Sequence, residues 1–287
     1  MKTGVQQIML GTLTKSEEVT IKILKNIKAM GYDGIELNGF MIRPSSMMVR
    51  ALTKFAGMPT GNGGKFDWLK MTQEADLEII SIHEDLNGIK NNPENIIAEC
   101  KKFNTNNIVI TGMYRFDYTD PKSMTDLCQD LNSCGKYLKE EGITLMYHNH
   151  NVDFLKVQGT DESALEFIIN NTDPNYLHFE FDSYWACECG VNVPAMMEKI
   201  GKRMNLYHIN DRGSRMTGPA MTPIIKSDAM ELGTGNMDLK TMVDIAQKNE
   251  VEAIVLETHK NWIDNNPLKS IDLSGKYLHN LLNKGHL

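Results

Sequence analysis

The chain has 287 residues, 41% hydrophobic and 23% charged, with a formal net charge of −7. That length exceeds an ordinary domain but suits one α/β barrel of about 250 residues; the acidic balance, without any Lys/Arg run, excludes the usual nucleic-acid binder, and no apolar run approaches the roughly 20 residues that span a bilayer. Cysteines at 100, 128, 134, 187 and 189 are odd in number and suit a reducing compartment, and the first residues carry no apolar signal core, so a cytoplasmic location is expected.

No linker or low-complexity stretch divides the sequence, so one domain over residues 1–287 is expected. Apolar runs of strand length fall at about 5–10, 33–38, 77–83, 107–112, 143–148, 177–182, 204–209 and 253–257. Helix-period segments stand between and after them, at about 15–30, 92–104, 122–141, 162–171, 192–201, 238–249 and 269–284. Alternation of this kind signals βαβ units, and eight continuous runs, apolar on both faces, predict a (β/α)8 TIM barrel. Gly31-Tyr32-Asp33-Gly34 and Glu141-Gly142 read as helix ends before a strand. Asp120-Pro121 and Asn92-Pro93-Glu94 read as N-caps with proline in the first turn. Two connections are long, about 39–67 and 210–237, and long barrel loops often cover substrate. The first holds Arg43-Pro44-Ser45-Ser46 and Gly61-Asn62-Gly63-Gly64 and reads as a lid.

Chemistry concentrates where the later runs stop. Tyr147-His148-Asn149-His150, Phe181-Asp182-Ser183-Tyr184-Trp185, His208-Ile209-Asn210-Asp211 and Leu256-Glu257-Thr258-His259 each place metal-type ligands at a strand's end. In a barrel those ends share one mouth. Alternation puts His148 and His150 on one face, and Glu180 with Asp182 on another, Glu180 one layer deeper. Glu36 and His83 end the second and third runs and would face the same mouth. Cys187-Glu188-Cys189 has poor spacing for tetrahedral zinc and reads as unpaired thiols.

These motifs resemble the sugar phosphate isomerase/epimerase family of xylose isomerase-like barrels over nearly the whole chain. Gly31-Tyr32-Asp33-Gly34-Ile35-Glu36-Leu37 is similar to its second strand, Tyr147-His148-Asn149-His150 to one subgroup's fifth, and Phe181-Asp182-Ser183-Tyr184-Trp185 to its sixth. His208-Ile209-Asn210-Asp211 resembles the seventh-strand His-x-Lys-Asp, and Gly233-Thr234-Gly235-Asn236-Met237-Asp238 a Gly-Glu-Gly-x-x-Asp turn. The resemblance implies one divalent metal held by a fifth-strand ligand, Asp182, His208 and Glu257. Register leaves the fifth-strand ligand open between His148 and His150; His150 is favoured as ligand, His148 as base or substrate contact. Relatives commonly carry glutamate there, lysine at Asn210 and glutamate at Thr234, and these departures put the typical substrate in question. Mixed imidazole and carboxylate ligation suits Mn²⁺, Zn²⁺, Co²⁺ or Fe²⁺ better than Mg²⁺, which is still allowed.

The expected chemistry is proton abstraction next to a carbonyl by His148, with Glu36 and His83 binding substrate or assisting, and Trp185, Asp211 and Arg212 contacting substrate. Arg215 and Lys226 are further phosphate candidates. A metal-dependent sugar or sugar phosphate isomerase or epimerase is expected first, and a dehydratase or lyase on inosose-like or 3-keto-sugar substrates second. A non-catalytic barrel subunit is the remaining class. An endonuclease of the trinuclear-zinc type is disfavoured, because Trp185 stands where a further His is needed. The partners expected are a small carbohydrate and, as an open option, further copies of the chain, without nucleic acid or membrane.

Overall fold

The computed structural model describes all residues except 12, 45–63, 217, 220 and 285–287. Eight parallel strands close into a barrel: β1 (Lys2–Gln6), β2 (Gly34–Asn38), β3 (Glu78–Glu84), β4 (Asn107–Thr111), β5 (Thr144–His148), β6 (Leu177–Asp182), β7 (Met204–Ile209) and β10 (Ala253–Leu256). The closing pair is β1 with β10. Between β7 and β10 the long connection folds back as an antiparallel pair, β8 (Asp211–Gly213) with β9 (Asp228–Met230), which the apolar pattern did not announce. The remaining expected strands lie within a few residues of their places. The first is displaced: β1 starts at Lys2, and Gln7–Leu10 is a 3-10 turn. Gln6 Oε1 accepts from Ile8 N at 2.7 Å and Gln7 Oε1 from Asn38 N at 2.8 Å. These bonds turn the backbone off the sheet, so Met9 and Leu10 bury beside the barrel rather than in it.

Helices cover the outside through amphipathic stripes. In Pro121–Glu140 the buried positions are Met124, Leu127, Cys128, Leu131, Gly135 and Leu138, a repeat of three and four residues. Asp120 caps this helix from Oδ2 to Ser123 N at 2.8 Å, and Pro121 needs no partner at the first position. Asn92 precedes Pro93 in the same way but makes no side-chain cap bond. Trp68–Glu74, Leu86–Asn91 and Ser183–Glu188 are additional short helices. All five cysteines are free thiols. Among the described residues no helix is long and apolar enough to cross a membrane. The expected lid falls mostly on residues 45–63, outside the described residues; Arg43, at its edge, pairs with Glu84 and Glu99.

Ile80, Val109, Met146, Leu206, Ala253 and Val255 form a separate apolar cluster inside the barrel. Two residues further along their strands stand His148, His208 and Glu257, so the interior changes from apolar to ionisable within one layer. On β3 the count differs. Ile35 pairs with Ile79 but Leu37 with Ile82, so β3 carries one extra residue, and His83 shares a face with Ile80 three positions earlier. A second shift occurs in β7, where Phe179 pairs with Met204 and Glu180 with Leu206.

Ile80 bears on two interior glycines. A Cβ on Gly4 would lie 2.3 Å from Ile80 Cδ1, and one on Gly34 would lie 2.8 Å from Ile80 Cγ1 and 2.7 Å from the Glu78 carbonyl oxygen. Gly4→Ala is therefore expected to destabilise the barrel by about 1–3 kcal/mol in urea unfolding. Ile80→Val removes the offending Cδ1 and alone should cost about 0.5–1.5 kcal/mol. The double variant should cost less than the sum; strict additivity would mean that Ile80 does not set the limit at Gly4.

Candidate metal centre

Four side chains at the strands' C-terminal ends each offer one ligating atom, all within 4.8 Å of one another: His148, Asp182, His208 and Glu257. Each is placed by its own local device. Asp182 ends β6 and caps the helix Ser183–Glu188, with Oδ1 accepting from Tyr184 N at 2.7 Å and Trp185 N at 3.2 Å. That occupies one carboxylate oxygen and leaves Oδ2 for the site, 3.9 Å from His208 Nδ1. Asn149 holds the same residue from β5: its Oδ1 accepts from Asp182 N at 2.9 Å and its Nδ2 donates to Asp182 O at 3.0 Å. Glu257 follows β10, its N–H bonded to Ile209 O at 3.3 Å and its Oε2 2.8 Å from His208 Nδ1.

Beneath this group lie Glu36, His83 and Glu180, all buried. His208 Nε2 is 2.6 Å from Glu36 Oε2 and 3.2 Å from Glu180 Oε2, and His148 Nδ1 is 2.9 Å from Glu180 Oε2. His83 Nε2 lies 2.8 Å from Glu36 Oε2 and 2.9 Å from Glu180 Oε2, without the alignment of a hydrogen bond to either. Ser81 Oγ donates to Glu36 Oε1. Burial lowers the affinity of His83 and His208 for a proton, but the carboxylates outweigh it, raising His83 to about 10 and His208 well above the usual range. Burial would raise Glu180 and Glu257, yet the neighbouring imidazoles hold Glu180 well below and Glu257 below the usual carboxylate range. For Asp182 burial wins, and it rises to about 6.

Carboxylates outnumber imidazoles here: Glu36, Glu180, Asp182 and Glu257 face His83, His148 and His208, all buried. Even with every imidazole protonated a negative charge is left over, which is costly away from water unless another cation offsets it. Glu180 Oε1 is buried with no hydrogen-bond partner. Surplus carboxylate fits a bound divalent cation, held by two imidazole nitrogens and two carboxylate oxygens at His148, His208, Asp182 and Glu257; Glu180 belongs to an overlapping deeper group, with His83, His148 and His208, whose ligating atoms lie equally close together.

The expected site residues divide into groups. Asp182, His208 and Glu257 come together; the fifth-strand member of the cluster is His148, not the favoured His150. β5 ends at His148, and His150 begins the next turn with its N–H bonded to Asp153 Oδ2 at 2.7 Å, so it stands above the cluster. Its ring centre lies 4.8 Å from that of His148 and 5.7 Å from that of Trp185. There it borders a cavity of about 890 Å³, together with Leu86, Thr111, Gly112, Phe116 and Tyr118. Burial and then nearby His148 push His150 down to about 3, so its ring is neutral at pH 7. Glu36 and His83, expected at the open mouth, are instead buried and paired with each other.

Asp211 was expected to meet substrate, but its carboxylate accepts from backbone N–H of Arg212, Gly233, Gly235 and Met237 at 2.8–3.1 Å. It anchors the 233–237 turn. Arg212 pairs with Glu188 at 2.5 Å and Arg215 with Glu231 at 2.5 Å. Sequence reasoning missed Asn149 and Asp153. Asn149 lies between two eye-catching histidines, on the other face of an extended run; Asp153 lies beyond the strand, its Oδ1 accepting from Tyr147 Oη at 2.6 Å.

Against known proteins, the family described as xylose isomerase-like TIM barrel matches residues 24–278. An inosose dehydratase of Salmonella agona is 24% identical over 181 residues, which is 58% of this chain and 58% of that protein. The chain thus spans little more than half the length of the curated relatives it matches. A sugar phosphate isomerase/epimerase from Parabacteroides distasonis shares the fold with a TM-score of 0.75 and 20% identity, covering 96% of this chain and 93% of that one. A xylose isomerase-like barrel from Mycobacterium smegmatis, in complex with magnesium, has a TM-score of 0.64 at 15% identity and covers 99% and 97%.

Asn149→Ala would leave the Asp182 N–H and C=O without that clamp and should destabilise the protein by about 1–3 kcal/mol in urea unfolding, with weaker metal binding. Unchanged stability and unchanged metal affinity would show that the ladder alone holds Asp182.

Proposed function

The chain belongs to the xylose isomerase-like TIM barrel family, and on that footing we propose that it is a metal-dependent enzyme that removes a proton from the carbon beside a carbonyl of a small carbohydrate. The observation that carries this reading is the convergence of His148, Asp182, His208 and Glu257 within 4.8 Å beneath neutral His150. A bound divalent cation would polarise the substrate carbonyl and so acidify the neighbouring C–H.

The chain's own residues supply the rest. We assign the fifth-strand ligand to His148 and the proton acceptor to His150, the reverse of the sequence expectation, because His148 belongs to the ligating group whereas His150 stands past the end of β5 with its ring centre 4.8 Å from that of His148. A neutral imidazole at working pH can take a proton, and the negative charge developing on substrate offsets the burial that disfavours its cationic form. Trp185, with its ring near His150 and 6.3 Å from that of His259, offers a flat apolar surface for a sugar ring. Glu36 and His83 act through the ligands rather than on substrate.

Two outcomes follow the same first step. Delivery of the proton from His150 to the neighbouring carbon, the former carbonyl carbon, while the hydroxyl proton passes to the carbonyl oxygen, gives isomerisation; protonation of the original carbon from the opposite face by a second acid gives epimerisation, and both are named in the Parabacteroides distasonis neighbour. Delivery of that proton to a departing β-hydroxyl releases water and leaves a carbon–carbon double bond conjugated to the carbonyl. The inosose dehydratase name of the Salmonella agona relative favours this second outcome.

Asp182→Ala and Glu257→Ala should each lose bound metal while keeping the far-ultraviolet circular dichroism of the barrel, since neither belongs to the apolar interior. Metal content unchanged in both would remove the site. His148→Gln should lose metal, whereas His150→Gln should keep it and lose most turnover, by about 10²–10⁴-fold; the opposite pattern would exchange the two roles. Incubated in D₂O with inososes and other keto-sugars, the protein should put deuterium beside the carbonyl or release water from the ring. Dependence of every turnover on added NAD would overturn the reaction class.

A further inference from the structure

We infer that Glu36 and Glu180 are positioning residues that lock the two imidazole ligands in opposite tautomers, so that His208 presents Nδ1 and His148 presents Nε2 to the cation. This rests on the metal centre proposed above. A neutral imidazole carries one N–H and one lone pair, and whichever nitrogen donates elsewhere decides which one is left to bind. For His208 the division is set by which carboxylates each nitrogen faces: Nδ1 faces the two that belong to the ligating group, and Nε2 faces Glu36, which does not. Nε2 lies 2.6 Å from Glu36 Oε2, while Nδ1 lies 2.8 Å from Glu257 Oε2 and 3.9 Å from Asp182 Oδ2. The lower carboxylate takes the N–H, and the lone pair points into the ligating group. For His148 the positions are exchanged: Nδ1 lies 2.9 Å from Glu180 Oε2, which leaves Nε2 as the ligating atom.

The two lower carboxylates are themselves held. Ser81 donates to Glu36 Oε1, freeing Oε2 for His208. His83 Nε2, between Glu36 Oε2 and Glu180 Oε2 at 2.8 and 2.9 Å, keeps the two like charges from separating. The rings of His148 and His208 meet edge to face with centres 4.7 Å apart. Rotating either ring by half a turn would put Cδ2 in the place of Nδ1 and Cε1 in the place of Nε2, so the N–H would lose its carboxylate and the lone pair its aim at the ligating group; the contacts to Glu36 and Glu180 therefore hold the ring orientation as well as the tautomer. A competing use of the lower layer, as the seat of a second cation, would require His208 Nε2 to give up its contact with Glu36.

The test uses Zn²⁺, which is diamagnetic, with the full chain labelled at histidine with ¹⁵N. Long-range ¹H–¹⁵N spectra of the zinc-loaded protein should show protonated Nδ1 in His148 and protonated Nε2 in His208, with one zinc bound per chain. Glu36→Gln and Glu180→Gln should each weaken zinc binding about 10–100-fold by competition with a chelator. Glu180→Asp, which retains the charge, should recover part of that loss. The same tautomer in both histidines, or unchanged zinc affinity in both glutamine variants, would overturn the inference and leave the metal centre standing. A second zinc per chain, lost on Glu180→Gln, would overturn it in favour of a dinuclear site. If the unsubstituted protein binds no zinc, manganese or cobalt, the metal centre fails and this inference with it. The spectra of the unsubstituted protein decide the matter even where a variant does not fold.

Discussion

The ring of His208 is the constraint on which the rest of the site depends. It stands at the centre of the barrel with carboxylates on both sides, Glu36 and Glu180 towards one nitrogen and Asp182 and Glu257 towards the other. A side chain 0% exposed cannot relieve this charge through water. Whatever cation balances those carboxylates must do so from within the barrel. The neighbouring strands respond to that need: β5 and β3 each add an imidazole, and the apolar layer immediately below shuts out solvent.

Placing so much charge in one layer is tolerable because the fold separates duties. The apolar inner cluster and the stripes of helices such as Pro121–Glu140 hold the barrel closed, and at the strands' C-terminal ends residues such as Phe181, Ile209 and Leu256 still join the core under the helices while only the inward face turns ionisable. Stability and chemistry therefore occupy different faces of the same strand ends. Asp182 shows how the two are joined: one oxygen caps a helix and the other faces the site, so the helix Ser183–Glu188 and the ligand cannot be repositioned independently.

Much of this was legible in the sequence. Eight apolar runs were visible because parallel strands buried on both faces have no polar alternation to obscure them. The candidate ligands were visible because each stands at or next to the end of such a run. What period-two counting could not show was the exchange between His148 and His150, since both stand on the same face and only the end of β5 at His148 separates cluster from rim. Asp211 was ambiguous for a related reason: an acidic residue after a strand looks the same whether it meets substrate or, as here, the N–H of Arg212 beside it and three more from the 233–237 turn. The displaced first strand reflects glutamine side chains bonding to backbone, a local event that hydrophobic patterning does not register.

The extra residue in β3 has a bearing on how this barrel can change over time. His83 and Glu84 are adjacent, one inside among Glu36 and Glu180, the other outside against Arg43. Their assignment to inside and outside is a matter of parity, and the bulge sets that parity. Loss of a single codon from this stretch would send a fifth carboxylate into the barrel and expel the imidazole, two electrostatic errors from one event. Point substitutions can be accepted one at a time along this strand, whereas a change of length cannot. Lineages descending from such a barrel should hold the residue count between Ile79 and His83 fixed while letting the side chains themselves drift.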